Sequence, residues 1–267
     1  MKIKVTDKPY AEVMALPKSV QKKPMRQLAV WRKLIAALSK KELKEIDFTY
    51  EEESMEKLGK KEPALILMNH SSFTDLQIVG TIFKNRPYNI ICTNDGFVGK
   101  EGLMRAIGCI PTKKFIPEAT LVKDMHYILH VLKSSVVMFP EASYSFDGTE
   151  TPLPKSLGKC VKLLKVPVIM IKTEGAFLRD PLYNNLQKRK AKVSARVTYL
   201  ISPEDAEVRS ADEINGILAD AFRYDHWKTQ HEHGVIVDEP FRADDLHRVL
   251  YKCPKCGTEG QMLGKGI

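Results

Sequence analysis

No apolar run in this chain approaches the roughly 20 residues that a membrane-spanning helix requires. The longest, Ala64 to Met68 and Val166 to Ile171, have the length of core strands. No apolar leader segment follows Met1, and the 5 cysteines fall into no evenly spaced framework. That argues against a disulfide scaffold and for a reducing, cytoplasmic setting. Internal repeats and low-complexity tracts are also lacking. At 43% hydrophobic and 28% charged, the composition is neither disordered nor collagen-like. A chain of 267 residues buries a full core as one globular domain with modest additions. If a membrane takes part, the chain lies on it.

What the chain has in excess is cations, with 42 Lys and Arg against 33 Asp and Glu. Nine of them (Lys18, Lys22, Lys23, Arg26, Arg32, Lys33, Lys40, Lys41, Lys44) fall in one stretch whose single acid is Glu42. Within it Leu28, Trp31, Ile35 and Leu38 recur at three- and four-residue steps, which gathers them on one helix face. A helix of this kind lies in an anionic membrane interface, with Trp31 at the headgroup boundary. The plainer alternative is a basic helix packed on the core. Residues 1–60 are accordingly read as a basic amphipathic helical arm, 61–250 as the main domain and 251–267 as a separate tail.

Across the main domain short apolar runs alternate with helical periods. Strands are predicted over Ala64–Asn69, Tyr88–Thr93, Val136–Phe139, Val166–Ile171 and Val193–Ile201. Helices are predicted over Phe73–Phe83, Ala119–Lys133, Lys155–Leu164 and Ser210–Trp227. Buried strands separated by helices point to an α/β fold with a largely parallel sheet flanked by helices.

In the tail, Cys253-Pro254-Lys255-Cys256-Gly257 forms a tight knuckle whose two thiolates suit one side of a tetrahedral zinc. It has the form of the first half of a zinc ribbon. The second cysteine pair is expected beyond Ile267, and without it the segment after Tyr251 should be poorly ordered and metal-free. Cys92, Cys109 and Cys160 lie in or beside core elements and are poor candidates to complete the site. His231-Glu232-His233 reads as a solvated loop.

The segment Asn69-His70-Ser71-Ser72-Phe73-Thr74-Asp75 places a histidine at the end of a buried strand and an aspartate at the start of the next helix. Five residues apart on one helix, the two side chains would point about 140° from each other. They meet only if the chain bends between them, and Ser71 and Ser72 supply N-cap residues for such a bend. Asp75 could then hold one imidazole nitrogen, leaving the other free to take a proton from a hydroxyl. The helix N-terminus would offer N–H groups to a developing oxyanion. Alternatively, Ser72 to Asp75 is a capping box and Asp75 satisfies only backbone.

Three further segments, in order, make the chain resemble the glycerophospholipid acyltransferase family, which includes the 1-acylglycerol-3-phosphate acyltransferases. Asn69, His70 and Asp75 match its Asn-His-x4-Asp motif. Gly108-Cys109-Ile110-Pro111-Thr112-Lys113-Lys114 matches its Gly-x-Ile-aromatic-x-x-Arg motif in part, with Pro111 and Lys114 replacing the aromatic residue and the arginine. Phe139-Pro140-Glu141-Ala142-Ser143-Tyr144-Ser145 stands for Phe-Pro-Glu-Gly-Thr-Arg-Ser, with Gly and Arg lost. Val166-Pro167-Val168 matches the fourth. The resemblance spans Ala64 to Thr173.

The resemblance implies a glycerolipid acyltransferase-like fold and direct transfer without a catalytic cofactor. His70 would deprotonate the acceptor hydroxyl as it attacks the thioester of acyl-CoA or acyl carrier protein. Asn69, Lys114, Phe139, Pro140, Glu141, Ala142, Ser143 and Tyr144 are the implied substrate-binding positions, with Glu141 helping to bind or orient a glycerol-phosphate or lysophospholipid acceptor. Cys253 and Cys256 are kept as ligands of a possible structural zinc. The expected location is the cytoplasmic face of an anionic membrane. Two other readings remain: a relative with a changed acceptor or no turnover, prompted by Ala142 and Tyr144, and a zinc-ribbon nucleic-acid binder. No run of aromatics interleaved with Lys and Arg supports the second, and no nucleic-acid partner is expected.

Overall fold

The computed structural model describes residues 7–15, 22–114, 116 and 118–267. Seven strands form one sheet: β1 (Thr49–Glu53), β2 (Leu65–Met68), β3 (Tyr88–Thr93), β4 (Cys109–Thr112), β5 (Ser135–Met138), β6 (Val168–Glu174) and β7 (Ser194–Ile201), in the order β1-β7-β6-β2-β5-β3-β4. All neighbours are parallel except β6 and β7, so β7 and its parallel partner β1 run opposite to the other five. The helices are α1 (Tyr10–Met14), α2 (Ala29–Glu45), α3 (Asp75–Ile82), α4 (Glu101–Ala106), α5 (Ala119–His130), α6 (Leu157–Leu164), α7 (Ala176–Arg179), α8 (Pro203–Val208), α9 (Ala211–Phe222) and α10 (His226–Glu232).

β2 lies at the centre, and all four of its residues are fully buried. Such a strand is apolar without alternation because helices cover both faces of the sheet. Ile66 and Met68 join Leu43 from α2 and Ile78 and Val79 from α3 in one core. Leu65 and Leu67 point the other way, into a second core with α5, α6 and α9, contributed by Met125, Ile128, Val161, Ile214 and Leu218 among others. Each such side chain contributes about 1.5–3 kcal/mol by leaving water. The architecture is the expected α/β sandwich.

Several boundaries differ from the expectation. β1 was assigned to the arm, yet it pairs with β7 along its whole length, so the arm and the sheet overlap at residues 49–53. Its sequence, Thr-Tyr-Glu-Glu-Glu, is exposed at all five positions. It carries the charges of a protected edge strand, with Glu51 paired to Arg196. β4 is the opposite edge, where Pro111 removes no needed donor. The helix expected over Ser210–Trp227 is two helices: α9 opens on a Ser210–Glu213 capping box, and α10 starts afresh on Asp225, whose carboxylate accepts the Lys228 N–H.

The basic helix is α2; Lys18 lies outside the described residues. Its predicted stripe splits. Ser39 and Leu43 are buried and Ile35 is half-buried against α3, where Gly80 leaves room: a Cβ there would meet Ile35 Cγ2 at 2.8 Å. Leu28 and Leu38 are exposed, and Val30, Leu34 and Leu38, four residues apart, form an apolar line on the outer face. Among the described residues no helix is long and apolar enough to cross a membrane.

The tail is ordered, contrary to expectation. Cys253 N–H donates to Thr258 O at 2.9 Å, Gly257 N–H to Cys253 O at 2.9 Å and Gly260 N–H to Tyr251 O at 2.8 Å. Residues 264–266 then fold back, with Gly264 N–H on His247 Nδ1 at 3.1 Å. These backbone hydrogen bonds fix the shape of the knuckle.

Candidate active site

β2 delivers Asn69 and His70 to the carboxyl end of the central strand, and the chain turns through residues 71–74 before α3 begins at Asp75. Across this bend His70 Nδ1 meets Asp75 Oδ2 at 2.9 Å. The same oxygen accepts the N–H groups of Ser71 at 3.0 Å and Ser72 at 3.2 Å. The capping and histidine-holding roles therefore coincide in one carboxylate. Asp75 is 1% exposed. Burial raises its pKa, opposed by the hydrogen bonds from His70 and the two amides. Because a carboxylate only accepts, Nδ1 carries the imidazole proton and Nε2 keeps its lone pair.

The turn is itself anchored by a residue that short-range motifs do not reveal. Ser72 Oγ donates to Asp180 Oδ1 at 2.6 Å and receives the Thr74 N–H at 3.1 Å. Asp180 also takes the Phe73 amide, and burial raises its pKa. With Asp75 N–H on Ser72 O at 3.1 Å, the amides of residues 71 to 75 are all engaged. The oxyanion role expected of this helix N-terminus is thus not available from them.

Asn69 is a clip. Its Oδ1 accepts Thr173 N–H at 2.8 Å and Thr173 Oγ1–H at 3.1 Å, and its Nδ2 donates to Thr173 O and Ser71 Oγ, both at 3.2 Å. Three of these bonds tie the end of β2 to β6 and the fourth holds Ser71, so Asn69 shapes the site from beneath. Thr173, in β6 at the end of the resembling span, is its unforeseen partner.

The segment following β5 clamps His70. Glu141 Oε2 accepts the His70 N–H at 2.8 Å, Glu141 Oε1 accepts the Thr151 N–H at 2.9 Å, and Ser145 N–H donates to the His70 carbonyl at 2.7 Å. Both backbone polar groups of the histidine are held by this one stretch. Burial raises the Glu141 pKa. Phe139 and Tyr144 stack on the imidazole, with ring centroids 4.2 and 3.6 Å away, and Phe73 stacks on Tyr144 at 4.6 Å. Pro140 is buried and Ser143 is half-buried. Burial raises the Tyr144 pKa, and the nearby acidic groups of Asp75, Asp180 and Cys92 add to that rise. The surroundings of His70 are acidic and aromatic.

Ala142 has φ of +59°, the left-handed region, at the position where the resembled motif has glycine. An alanine there carries about 1–2 kcal/mol of backbone strain. Ala142→Gly should raise stability by about 0.5–1 kcal/mol in urea unfolding, after the larger chain entropy of glycine is offset. A loss of stability would show that the methyl group makes contacts outweighing the strain.

Gly108, which opens the second segment, has φ of +88°, and a Cβ would meet Gln27 Cβ at 2.9 Å. It is required by the turn into β4. Lys114 is exposed beyond that strand. Its charge reaches Asp95, whose carboxyl is held low first by Thr93 and more weakly by Lys114. In the tail, hydrogen bonding by Thr258 lowers the exposed Cys256 thiol to about 7. Cys253 and Cys256 would supply two of the four ligands that a tetrahedral zinc takes, and among the described residues no group of three or more His, Cys, Asp and Glu side chains is placed to hold a metal.

Residues 49–173 match the family model described as Acyltransferase. Among solved structures the chain is similar to the 1-acyl-sn-glycerophosphate (LPA) acyltransferase, PlsC, from Thermotoga maritima, at 15% identity and a TM-score of 0.59, over 78% of this chain and 81% of that one. At that identity the likeness is one of fold. Comparison with curated proteins gives no significant match.

Proposed function

Because residues 49–173 match the family model described as Acyltransferase, we propose that this protein transfers an acyl group from acyl-CoA or acyl carrier protein to a hydroxyl of a lysophospholipid or glycerol-phosphate acceptor. The observation that carries this reading is the 2.9 Å contact between His70 Nδ1 and Asp75, which leaves Nε2 as a base. Nε2 takes the hydroxyl proton as the acceptor oxygen attacks the thioester carbonyl. Collapse of the tetrahedral adduct breaks the C–S bond, and the imidazolium returns its proton to the departing thiolate.

The acceptor preference follows from Tyr144. A guanidinium at this position would grip a phosphate bidentately, whereas tyrosine offers one neutral donor. The pocket should therefore discriminate weakly between lysophosphatidic acid or glycerol 3-phosphate and neutral or zwitterionic lysolipids. Tyr144→Arg should raise kcat/KM for lysophosphatidic acid about tenfold or more, the worth of one charge-assisted hydrogen bond. A parent that strongly prefers lysophosphatidic acid, with no gain in the variant, would defeat this argument.

The surface we propose for the reaction is the cytoplasmic face of an anionic membrane. The support is the exposed line Val30, Leu34 and Leu38 beside the exposed Lys33, Lys40 and Lys41. Leu34→Ser with Leu38→Ser should abolish sedimentation with anionic vesicles, and salt should weaken it in the parent at about 1 kcal/mol per lysine near the surface. Equal binding to neutral and anionic vesicles would rule the idea out.

A further inference from the structure

A groove between residues 178–189 and the last stretch of the chain holds a cation to which acyl transfer gives no task. Leu178, Tyr183, Arg189, Trp227, Ile236 and Arg242 line a space of about 330 Å³. Arg189 is only 3% exposed. Its partners are all neutral: Nη2 donates to the Tyr183 hydroxyl at 3.1 Å and to the Arg242 carbonyl at 3.2 Å, and the guanidinium lies 5.5 Å from the centre of the Tyr183 ring. Its Nε–H is buried with no hydrogen-bond partner.

Among the described residues no carboxylate forms an ion pair with Arg189, and five acids on neighbouring segments are engaged elsewhere. Glu42 and Glu45 pair with Arg179, Glu239 accepts the Lys190 N–H, Asp244 accepts the Gly266 N–H, and Asp245 accepts from Asn185. The second guanidinium, of Arg242, donates only to the Glu239 carbonyl at 3.2 Å. A buried cation without a counter-ion is costly, and an unmet N–H adds to the cost. An anion accepting from the guanidinium relieves both.

Apart from Arg242 and Gln230, most of the groove's lining is apolar. Leu178 forms its floor, and Ile236, at 86% exposed, stands open at its rim. A site with largely apolar walls and two guanidiniums selects a ligand that is apolar along most of its length and anionic at one end. We propose that this groove binds a single-chain amphiphile whose anionic head, a carboxylate or a phosphate, accepts the Arg189 Nε–H while its alkyl chain covers Leu178 and Ile236. Two residues beyond Leu178, Asp180 holds Ser72 of the catalytic turn at 2.6 Å. The occupied groove thus lies against the segment that supports His70. Binding here does not depend on the acyl-transfer reading.

Trp227 lines the groove, and Trp31 is the one other tryptophan, so Trp31→Phe isolates the emission of Trp227. This variant is titrated with octanoate, octyl phosphate, octanol and octyltrimethylammonium below the concentrations at which they form micelles. The two anions should give a saturable change at concentrations at least tenfold lower than the neutral and cationic chains. Tighter octyl phosphate would assign the site to a lipid phosphate, and tighter octanoate to a free fatty acid. Arg189→Gln should weaken the anions at least tenfold. Because that change is buried and also bears on folding, Ile236→Asp at the exposed rim is measured alongside, and its added negative charge should weaken them similarly. Equal affinity for all four chains, no saturable change, or anion binding unaltered by Ile236→Asp would overturn the proposal.

Discussion

His70→Ala should lower acyl-transfer turnover by about 10²–10⁴-fold, the usual loss when a positioned base is removed. The folded state gives up the ring contacts with Phe139 and Tyr144, worth about 0.5–1.5 kcal/mol each. Thermal unfolding should therefore move by only a few degrees. Asp75→Asn should cost about 10²-fold or more in turnover, since an amide facing Nδ1 no longer holds the imidazole with its proton there. It should also cost stability, because Asp75 Oδ2 collects donors from His70, Ser71 and Ser72. Steady-state kinetics with a thioester donor, paired with thermal melts, separates the two variants. Near-parental turnover in a folded His70→Ala protein would refute the proposed mechanism.

Glu141→Gln should lower kcat at least tenfold while leaving the acceptor KM nearly unchanged. Glu141 is 4% exposed, and its two oxygens each accept one backbone N–H, from His70 and from Thr151. Glutamine replaces one acceptor by an NH₂ group, so one of those amides meets a donor in a site that water does not reach. The cost is about 1–3 kcal/mol of stability. It falls on the backbone of His70, which shifts relative to the acceptor. This positioning role differs from the acceptor binding that the resemblance implies. A raised KM at constant kcat would favour acceptor binding and reject positioning.

The fold class and the meeting of His70 with Asp75 were legible because their signals are local. Leu65 to Met68 form a buried run, and a strand followed by serines and an aspartate forces the bend that brings His70 to Asp75. β1 was illegible for the opposite reason: an edge strand with five exposed residues has no apolar period, and only pairing with β7 makes it a strand. The stripe on α2 was misassigned because periodicity places residues on a face without telling which face finds a partner. Close packing against α3 at Gly80 buries Ile35's side and leaves Leu38 outside.

By itself, the order of residues determined which chemical groups this protein possesses and which of them lie near one another along the chain: a histidine five residues before an aspartate, a glutamate behind Phe-Pro, a basic helix and a cysteine knuckle. Only the tertiary structure decided what those groups touch. Asn69 meets Thr173 across 104 residues and Ser72 meets Asp180 across 108, separations at which a linear pattern carries no trace of contact. Burial then assigns the roles, because a polar atom removed from water must take whatever partner the packed chain presents. That requirement turned Asn69 and Glu141 into braces for His70 and left Arg189 with an unmet donor.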